Sequence, residues 1–165
     1  MTSPQGFVGL LPADAVLSWG EPVAVVCVGI PASGKSTFCG QHLSGITRIN
    51  LDTLHTRAKE WRAVSDCLAN GASFVVDNTN PTVGDRRRYV DPAKAAGYRV
   101  VGLFFSSVLR ECLTRNATRT GKQRVPAAGV AAKSHALEIP KWDEGFDELY
   151  YVRIDPTGFV IEEWR

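Results

Sequence analysis

The 165-residue sequence has no apolar run near the roughly 18 residues that a membrane-spanning helix needs. Its first residues, MTSPQGFVGLLPADAV, lack the basic region that opens a signal peptide. The 4 cysteines lie far apart without a CxxC pair, and the 3 histidines form no metal-binding spacing with them. These absences argue against a membrane protein, a disulfide-stapled secreted domain and a structural zinc site. We therefore expect a cytoplasmic protein whose cysteines are small buried hydrophobic residues.

Net charge is also small, because 19 basic and 17 acidic side chains leave only +2. The charges are unevenly distributed, with 16 basic and 9 acidic side chains in residues 1–137 against 3 and 8 in residues 138–165. This polarity permits a basic face for a polyanion without requiring one. The length and an apolar content of 44% are typical of one globular domain. We expect residues 1–20 to be a loosely ordered lead-in to it.

Strand patterns alternate with helical patterns along the chain. Val23–Val28 (VAVVCV) is a continuous apolar run, which is typical of a strand buried on both faces of a parallel sheet. Further strands are expected at residues 45–50, 73–77, 99–106 and 149–154, with a short edge hairpin at 159–163. Helices are expected at residues 35–43, 52–70, 82–96 with an interruption at Asp91-Pro92, 108–118, and from Pro126 onward. In the second helix the apolar side chains, Trp61 included, should face the core. The order predicts an α/β fold with a five-stranded, mainly parallel sheet flanked by helices, which binds ligands at the carboxyl ends of its strands.

One loop of this fold carries a nucleotide motif. Residues 29–36, GIPASGKS, match G-x-x-x-x-G-K-[ST] without a mismatch, between a predicted strand and a predicted helix. Backbone N–H groups of such a loop hold phosphates, its lysine (Lys35) contacts the β- and γ-phosphates, and its hydroxyl (Ser36) binds Mg²⁺. We therefore predict ATP and Mg²⁺ as cofactors. The residues expected to hold the nucleotide are Gly29, Pro31, Ala32, Ser33, Gly34, Lys35, Ser36 and Thr37.

Two carboxylates follow the next two strands and should project from the same sheet edge. Asp52 follows Asn50-Leu51, and Asp77 begins the stretch DNTN. One role for such a carboxylate is to hold Mg²⁺ together with Ser36. The other is to accept a proton from a hydroxyl that attacks the γ-phosphate. We predict Asp52 as the general base, although its position also suits a helix N-cap. Asp77 should lie near the metal or on the acceptor, and Asn78 and Thr79 should contact the acceptor.

Basic residues cluster in two places. Arg115 and Arg119 are four residues apart on a predicted helix, within a stretch from residue 110 to 124 that carries five basic side chains. A basic helix end before a polar loop suits a lid that closes over ATP, although an ordinary solvated helix would look similar. The triplet at residues 86–88 follows DNTN, and Arg86 and Arg88 are predicted to reach the acceptor.

Taken in order, these segments resemble the kinase domain of polynucleotide 5′-hydroxyl kinases. The resemblance is carried by VAVVCVGIPASGKSTF, RINLDTL, FVVDNTNPTVGDRRRYV, GYRVVGLFF, TRNATRTGKQRVP and EGFDELYYV, which cover residues 23–152. It implies a P-loop NTPase fold with an arginine-bearing lid, acting on 5′-hydroxyl ends of DNA or RNA during repair. By this resemblance Lys35 and Ser36 would hold ATP and Mg²⁺, and Asp52 would be the base on the 5′-hydroxyl. Arg119 would lie on the phosphates with Arg115 in support, so the catalytic set is Asp52, Lys35 and Arg119.

The sequence departs from this family in two respects, and two alternatives stay open. The family commonly has an arginine directly before the catalytic aspartate or three residues after it, where this chain has Leu51 and His55. The D-x-D-x-T signature of the accompanying 3′-phosphatase domain is absent, so any 3′-end activity would belong to another chain, such as a separate phosphatase or ligase partner. One alternative is a P-loop kinase for a small-molecule or peptide hydroxyl. The other is a nucleotide-dependent switch without transfer, against which Asp52 and the basic stretch argue.

Overall fold

The computed structural model describes residues 7–12, 19 and 22–164, and in them seven strands form one sheet. Along the chain these are β1 (Phe7–Pro12), β2 (Val23–Val28), β3 (Thr47–Ile49), β4 (Phe74–Val76), β5 (Arg99–Phe105), β6 (Glu148–Asp155) and β7 (Gly158–Trp164). Across the sheet the order is β1-β7-β6-β5-β2-β4-β3. The five strands from β6 to β3 are parallel, while β7 pairs antiparallel with β6 and β1 antiparallel with β7. The predicted fold class is therefore confirmed, and the parallel part consists of the five expected strands.

Helices cover both faces of the sheet. They are α1 (Lys35–His42), α2 (Leu51–Leu54), α3 (Arg57–Asn70), α4 (Val83–Ala95), α5 (Leu109–Ala117) and α6 (Ala127–Ala136), with 3₁₀ turns at Gly121–Gln123 and Trp142–Glu144. Helix α1 packs on one face, and α3 and α4 pack on the other. Cys112 of α5 and Val130 of α6 pack around Ile30, which follows the carboxyl end of β2.

Strand β2 is buried on both faces, as its sequence predicts. Ala24, Val26 and Val28 belong to the core under α3 and α4, whereas the alternate side chains belong to the core under α1. All six residues are at most 4% exposed. A strand has a side-chain period of two, so a strand between two helical layers must be apolar at every position. This strand fixes the loop that follows it at the centre of the sheet edge.

The structure corrects several predicted boundaries. Strand β1 lies within residues 1–20, which we expected to be loosely ordered; Trp19 apart, the remaining residues of that range lie outside the described part. Helix α4 continues through Pro92 without the expected interruption, because its buried residues Tyr89, Val90 and Ala93 anchor it to the core. The expected helix over residues 52–70 is divided into α2 and α3 at His55, whose φ is 71°.

The prediction that Trp61 faces the core is wrong. Its side chain is 50% exposed, and the buried stripe of α3 consists of Glu60, Val64 and Cys67. A buried glutamate shifts the inward face by one position from the face that apolar residues alone would indicate. The expectation that the cysteines are buried hydrophobic residues is confirmed, because all four cysteines are free and buried.

Among the described helices, none combines the length and the apolar character that crossing a membrane would require.

Candidate active site

The loop between β2 and α1 has the geometry of a phosphate cradle. Gly29 leaves no room for a side chain, because a Cβ there would lie 2.6 Å from Ser33 Oγ and 3.0 Å from Phe105 Cβ. Gly34 has a φ of 98°, a conformation that glycine adopts at low cost. It is also the N-cap of α1 and provides no side chain that could cap the helix. The N–H groups of the first turn of α1 therefore point to the open edge, where an anion is favoured.

Lys35 is folded back onto this loop. Its Nζ donates to the carbonyls of Gly29 at 2.8 Å and Ile30 at 3.0 Å and contacts Ser33 Oγ at 3.3 Å. The residue is only 7% exposed. Burial lowers the pKa of Lys35 below its usual value, while the charge of Asp77 opposes that shift. The positive charge of Arg119 lowers the pKa of Lys35 further, so Arg119 lies within electrostatic reach of the loop.

Ser36 and Asp77 form a hydroxyl–carboxylate pair beside the loop. Ser36 Oγ donates to Asp77 Oδ2 at 2.9 Å, and Asp77 is 2% exposed. The same oxygen accepts from Arg48 Nε at 2.8 Å. The pair brings together two predicted metal ligands, one from the start of α1 and one from the end of β4. Arg48, in contrast, was not predicted.

The backbone that leads to Asp52 is fastened to the same strand end. Asn50 Nδ2 donates to the carbonyl of Asp77 at 2.5 Å, and the N–H of Leu51 donates to Asn78 Oδ1 at 2.9 Å. Asp52 lies in the first turn of α2 and its side chain is exposed. The N-cap of α2 is Asn50, which accepts from the N–H of Thr53, so the N-cap interpretation of Asp52 is wrong. The carboxylate of Asp52 is thus presented to solvent rather than used by the fold.

A network of hydrogen bonds centred on the buried Glu60 holds the side chain of Asn78 in place. Asn78 Nδ2 donates to Glu60 Oε2 at 2.8 Å, and Tyr89 donates to Glu60 Oε1 at 2.7 Å. Arg57 completes the network with a bond to the same Glu60 oxygen at 2.8 Å. Burial and the hydrogen bond to Glu60 raise the pKa of Tyr89 to about 12, so this phenol stays a donor. The side chain of Asn78 is engaged within the protein on both its oxygen and its nitrogen, and its contacts give no support to the predicted acceptor role.

The basic helix α5 lies against the phosphate loop. Arg115 Nε donates to the carbonyl of Ala32 at 2.7 Å, across 83 residues of chain. Arg119 contacts the carbonyl of Gln123 at 3.4 Å. Asn116 lies between these arginines in the sequence and binds the backbone of Val125 twice. Its Nδ2 donates to the carbonyl of Val125 at 2.6 Å, and its Oδ1 accepts from the N–H of Val125 at 3.0 Å. These two hydrogen bonds to one residue hold the loop between α5 and α6 in place.

The prediction that Arg86 reaches an acceptor is wrong. Its side chain has no exposed surface, and its Nε and Nη2 donate to Glu144 at 2.6 and 3.0 Å. Nη1 donates to the carbonyls of Asn80 and Pro81 at 3.0 and 3.1 Å. Asn80, in turn, donates to the carbonyl of Cys27 at 2.8 Å, and Cys27 is the second-to-last residue of β2 before the phosphate loop. Arg86 is therefore a buried support of the site, whereas Arg88 is exposed and stays a predicted acceptor contact.

Several supporting residues had only weak sequence signals. Ser107 accepts from the N–H of Ile30 at 3.1 Å and donates to the carbonyl of Phe105 at 2.9 Å, which ties β5 to the loop. Thr79 acts through its backbone, accepting from the N–H of Gly29 at 3.0 Å. Arg48 precedes Asn50 by two residues, and the two-residue period of a strand could have placed both on one face.

A known protein family matches most of this chain. A family model described as an AAA domain (AAA_33) matches residues 25–139, from within β2 to beyond α6. The chain belongs to this family. The AAA domain matched here includes the phosphate loop, both strand-end aspartates and the basic helix, and it is a P-loop kinase domain.

Relatives of this AAA domain agree with the resemblance found in the sequence. A bifunctional polynucleotide phosphatase/kinase of Schizosaccharomyces pombe is 30% identical over 146 residues, which are 86% of this chain and 36% of that protein. A protein of Acanthamoeba polyphaga mimivirus that carries the same bifunctional name is 40% identical over 153 residues, again 86% and 36% of the two chains. The chain thus spans about a third of the length of these curated relatives. The resemblance is confirmed.

A solved structure shows the same fold at low identity. Chaetomium thermophilum Kti12, in complex with ADP-AlF3, superposes with a TM-score of 0.59 at 20% identity. The superposition covers 82% of this chain and 92% of Kti12.

Proposed function

We propose that this chain is an ATP- and Mg²⁺-dependent phosphotransferase that moves the γ-phosphate of ATP to 5′-hydroxyl ends of DNA or RNA, as in end repair. The observation that carries the proposal is the position of Asp52, an exposed carboxylate held at the sheet edge that carries the phosphate loop. A protein that only binds a nucleotide needs no such carboxylate. The names of the two phosphatase/kinase relatives support a polynucleotide as the acceptor.

The residues present fit both cofactors. Phosphates are favoured by the uncapped first turn of α1 and by the ammonium of Lys35. Mg²⁺ prefers oxygen ligands, and Ser36 Oγ and the Asp77 carboxylate are oxygen donors already in contact at 2.9 Å. We therefore assign ATP to the loop and Mg²⁺ to the Ser36–Asp77 pair.

The chain's own groups would then act in a defined order. When bound, ATP would supply the γ-phosphoryl group and leave as ADP, and Mg²⁺ would supply positive charge for the phosphate oxygens. Lys35 exchanges the loop carbonyls for phosphate oxygens, and Arg119, with Arg115 beside it, stabilises the charge on the moving group. Asp52 accepts the proton of the attacking hydroxyl, a contribution of roughly 10²–10⁴-fold in such enzymes. Because Asp52 has no partner within the described residues, its carboxylate is free for that proton.

The acceptor would lie over Asp52 and the end of β4. Exposed basic side chains on the helices that follow this edge in the chain include Arg88 on α4 and Arg57 at the start of α3. The guanidinium of Arg57 is fixed by Glu60 at 2.8 Å and by Tyr89 at 3.1 Å, with its side chain 51% exposed. Phosphates of a strand would be gripped by these groups together with the basic stretch of residues 110–124.

An acceptor panel tests the proposal. ATP labelled at the γ-phosphate is offered with Mg²⁺ to DNA and RNA oligonucleotides with 5′-hydroxyl ends, to the same oligonucleotides with 5′-phosphate ends, and to small hydroxyl compounds. We expect label only on the 5′-hydroxyl oligonucleotides. Transfer confined to small hydroxyl compounds, or ATP binding without transfer, would contradict the proposal.

Salt dependence provides a second test. If arginines and lysines grip acceptor phosphates, each contact releases a counterion, so log affinity should fall linearly with log salt concentration. Oligonucleotide binding, measured by fluorescence anisotropy from about 50 to about 200 mM salt, should show this fall in affinity. An affinity that is independent of salt would contradict the phosphate contacts.

A further inference from the structure

Arg48 contacts both members of the Ser36–Asp77 pair. It lies on β3, the edge strand of the sheet next to β4. Its Nη2 is 2.6 Å from Asp77 Oδ2 and 3.3 Å from Ser36 Oγ, and its Nε is 2.8 Å from the same Asp77 oxygen. One guanidinium therefore contacts both groups to which we assign the metal.

The charges explain why a cation lies there. The Asp77 side chain is 1% exposed, and among the described residues Arg48 is its only ion-pair partner. Lys35 is near enough to feel the charge of Asp77, but its ammonium is bonded to the loop carbonyls instead. A buried carboxylate without a counter-charge is costly. Arg48 supplies that counter-charge from the surface.

Arg48 and a metal ion cannot share this position. Mg²⁺ binds oxygen ligands at about 2.0–2.1 Å and keeps several waters, so it needs the space next to Ser36 Oγ and Asp77 Oδ2. That space holds the Nη2 group, and the two cations would repel each other at close range.

We propose that Arg48 is a built-in counter-cation, which occupies the position assigned to the metal and leaves it when the metal binds. The proposal rests on the assignment of Mg²⁺ to the Ser36–Asp77 pair in the proposed function. It adds that Arg48 lowers the affinity for free divalent metal and so couples metal binding to the arrival of ATP, whose phosphates bring compensating negative charge.

The position of Arg48 allows the exchange without a change of fold. Its side chain is 43% exposed, and in the described part of the chain β3 pairs on one side only, with β4. A rotation about its side-chain bonds therefore carries the guanidinium into solvent while the backbone pairing of β3 with β4 is kept.

Binding of Mn²⁺, measured by the loss of its free electron paramagnetic resonance signal, tests the proposal without measuring activity. Wild type, Arg48→Ala and Arg48→Gln are titrated with Mn²⁺ alone and with Mn²⁺ plus a non-hydrolysable ATP analogue. Arg48→Gln keeps a hydrogen-bonding side chain beside Asp77, so it covers the case in which Arg48→Ala does not fold. Arg99→Ala is the matched control, because it also removes one half-exposed arginine from an ion pair, here with Glu148 at 2.7 Å.

We expect the Arg48 variants to bind Mn²⁺ alone on the order of tenfold more tightly than wild type, since a like charge a few ångströms away is removed. Arg99→Ala should bind as wild type does. With the ATP analogue the difference between Arg48 variants and wild type should shrink. Arg48 variants that bind free Mn²⁺ no more tightly than Arg99→Ala would overturn the proposal.

Two further measurements separate this inference from the proposed function. In wild type, the side-chain Nε–H signal of Arg48 in ¹⁵N NMR spectra should shift when Mg²⁺ and the ATP analogue are added together. An unchanged signal in a complex that holds the metal would overturn the role of Arg48 alone. Asp77→Asn should lose metal binding with the analogue present. If wild type binds no metal even then, the metal site of the proposed function fails, and the inference fails with it.

Discussion

Replacing Arg86 by methionine should destabilise the protein strongly, although Arg86 is one of three consecutive arginines. The guanidinium has no exposed surface, and Glu144, its partner at 2.6 and 3.0 Å, has a side chain that is 3% exposed. Removing one member of a buried pair leaves the other as an uncompensated charge, which costs about 3–5 kcal/mol. In a domain of this size 1 kcal/mol shifts Tm by about 2–4 °C, so Arg86→Met should lower Tm by about 6–20 °C.

The assay is equilibrium unfolding in urea, followed by circular dichroism. Arg88→Met, two residues along the same helix and exposed, is the matched control and should change the free energy of unfolding by less than about 0.5 kcal/mol. The double variant Arg86→Met/Glu144→Met should be more stable than Arg86→Met alone, because no buried charge is left without a partner. An Arg86→Met protein within about 1 kcal/mol of wild type would refute the reasoning.

Two other predictions concern groups around the site. The pKa of Tyr89 is raised from 10.0 to about 12, so the folded protein keeps the phenol proton to a higher pH than the unfolded chain does. The contribution of Tyr89 to stability is therefore complete below pH 10 and is lost as the pH rises toward 12. Tyr89→Phe should therefore show a shallower fall in the free energy of unfolding over that pH range, and an unchanged slope would contradict the assignment. Asn116→Ala removes both bonds to the backbone of Val125, at about 1 kcal/mol each. The amide of Val125 should then exchange hydrogen faster, and an amide protected as in wild type would show that the loop is held by other contacts.

The centre of the fold could be predicted because its signals are local. The continuous apolar run of β2 and the spacing of the loop behind it indicate a buried strand and a phosphate loop without knowledge of any distant contact. The convergence of strand ends at one edge then places Asp77 beside Ser36, as the structure has it at 2.9 Å.

The errors arise where distant segments decide the role of a side chain. Arg86 is buried because Glu144, 58 residues away, lies against it, and nothing in the triplet of arginines indicates that partner. Trp61 was assigned to the core because the apolar period cannot recognise Glu60 as an inward-facing residue of α3. Arg48 was missed because its contact depends on the pairing of β3 with β4 and on the position of the loop beside them.

The most direct test of the central claim compares wild type with Asp52→Asn in two measurements on the same samples. ATP affinity, measured by calorimetry with Mg²⁺ present, should be unchanged, because Asp52 is exposed and makes no contact with the phosphate loop within the described residues. The rate of phosphoryl transfer to a 5′-hydroxyl oligonucleotide should fall by about 10²–10⁴-fold, as expected for loss of a general base. Asp66→Asn, the same change at an exposed position on α3, should transfer at the wild-type rate. An Asp52→Asn protein that keeps the wild-type transfer rate would contradict the account.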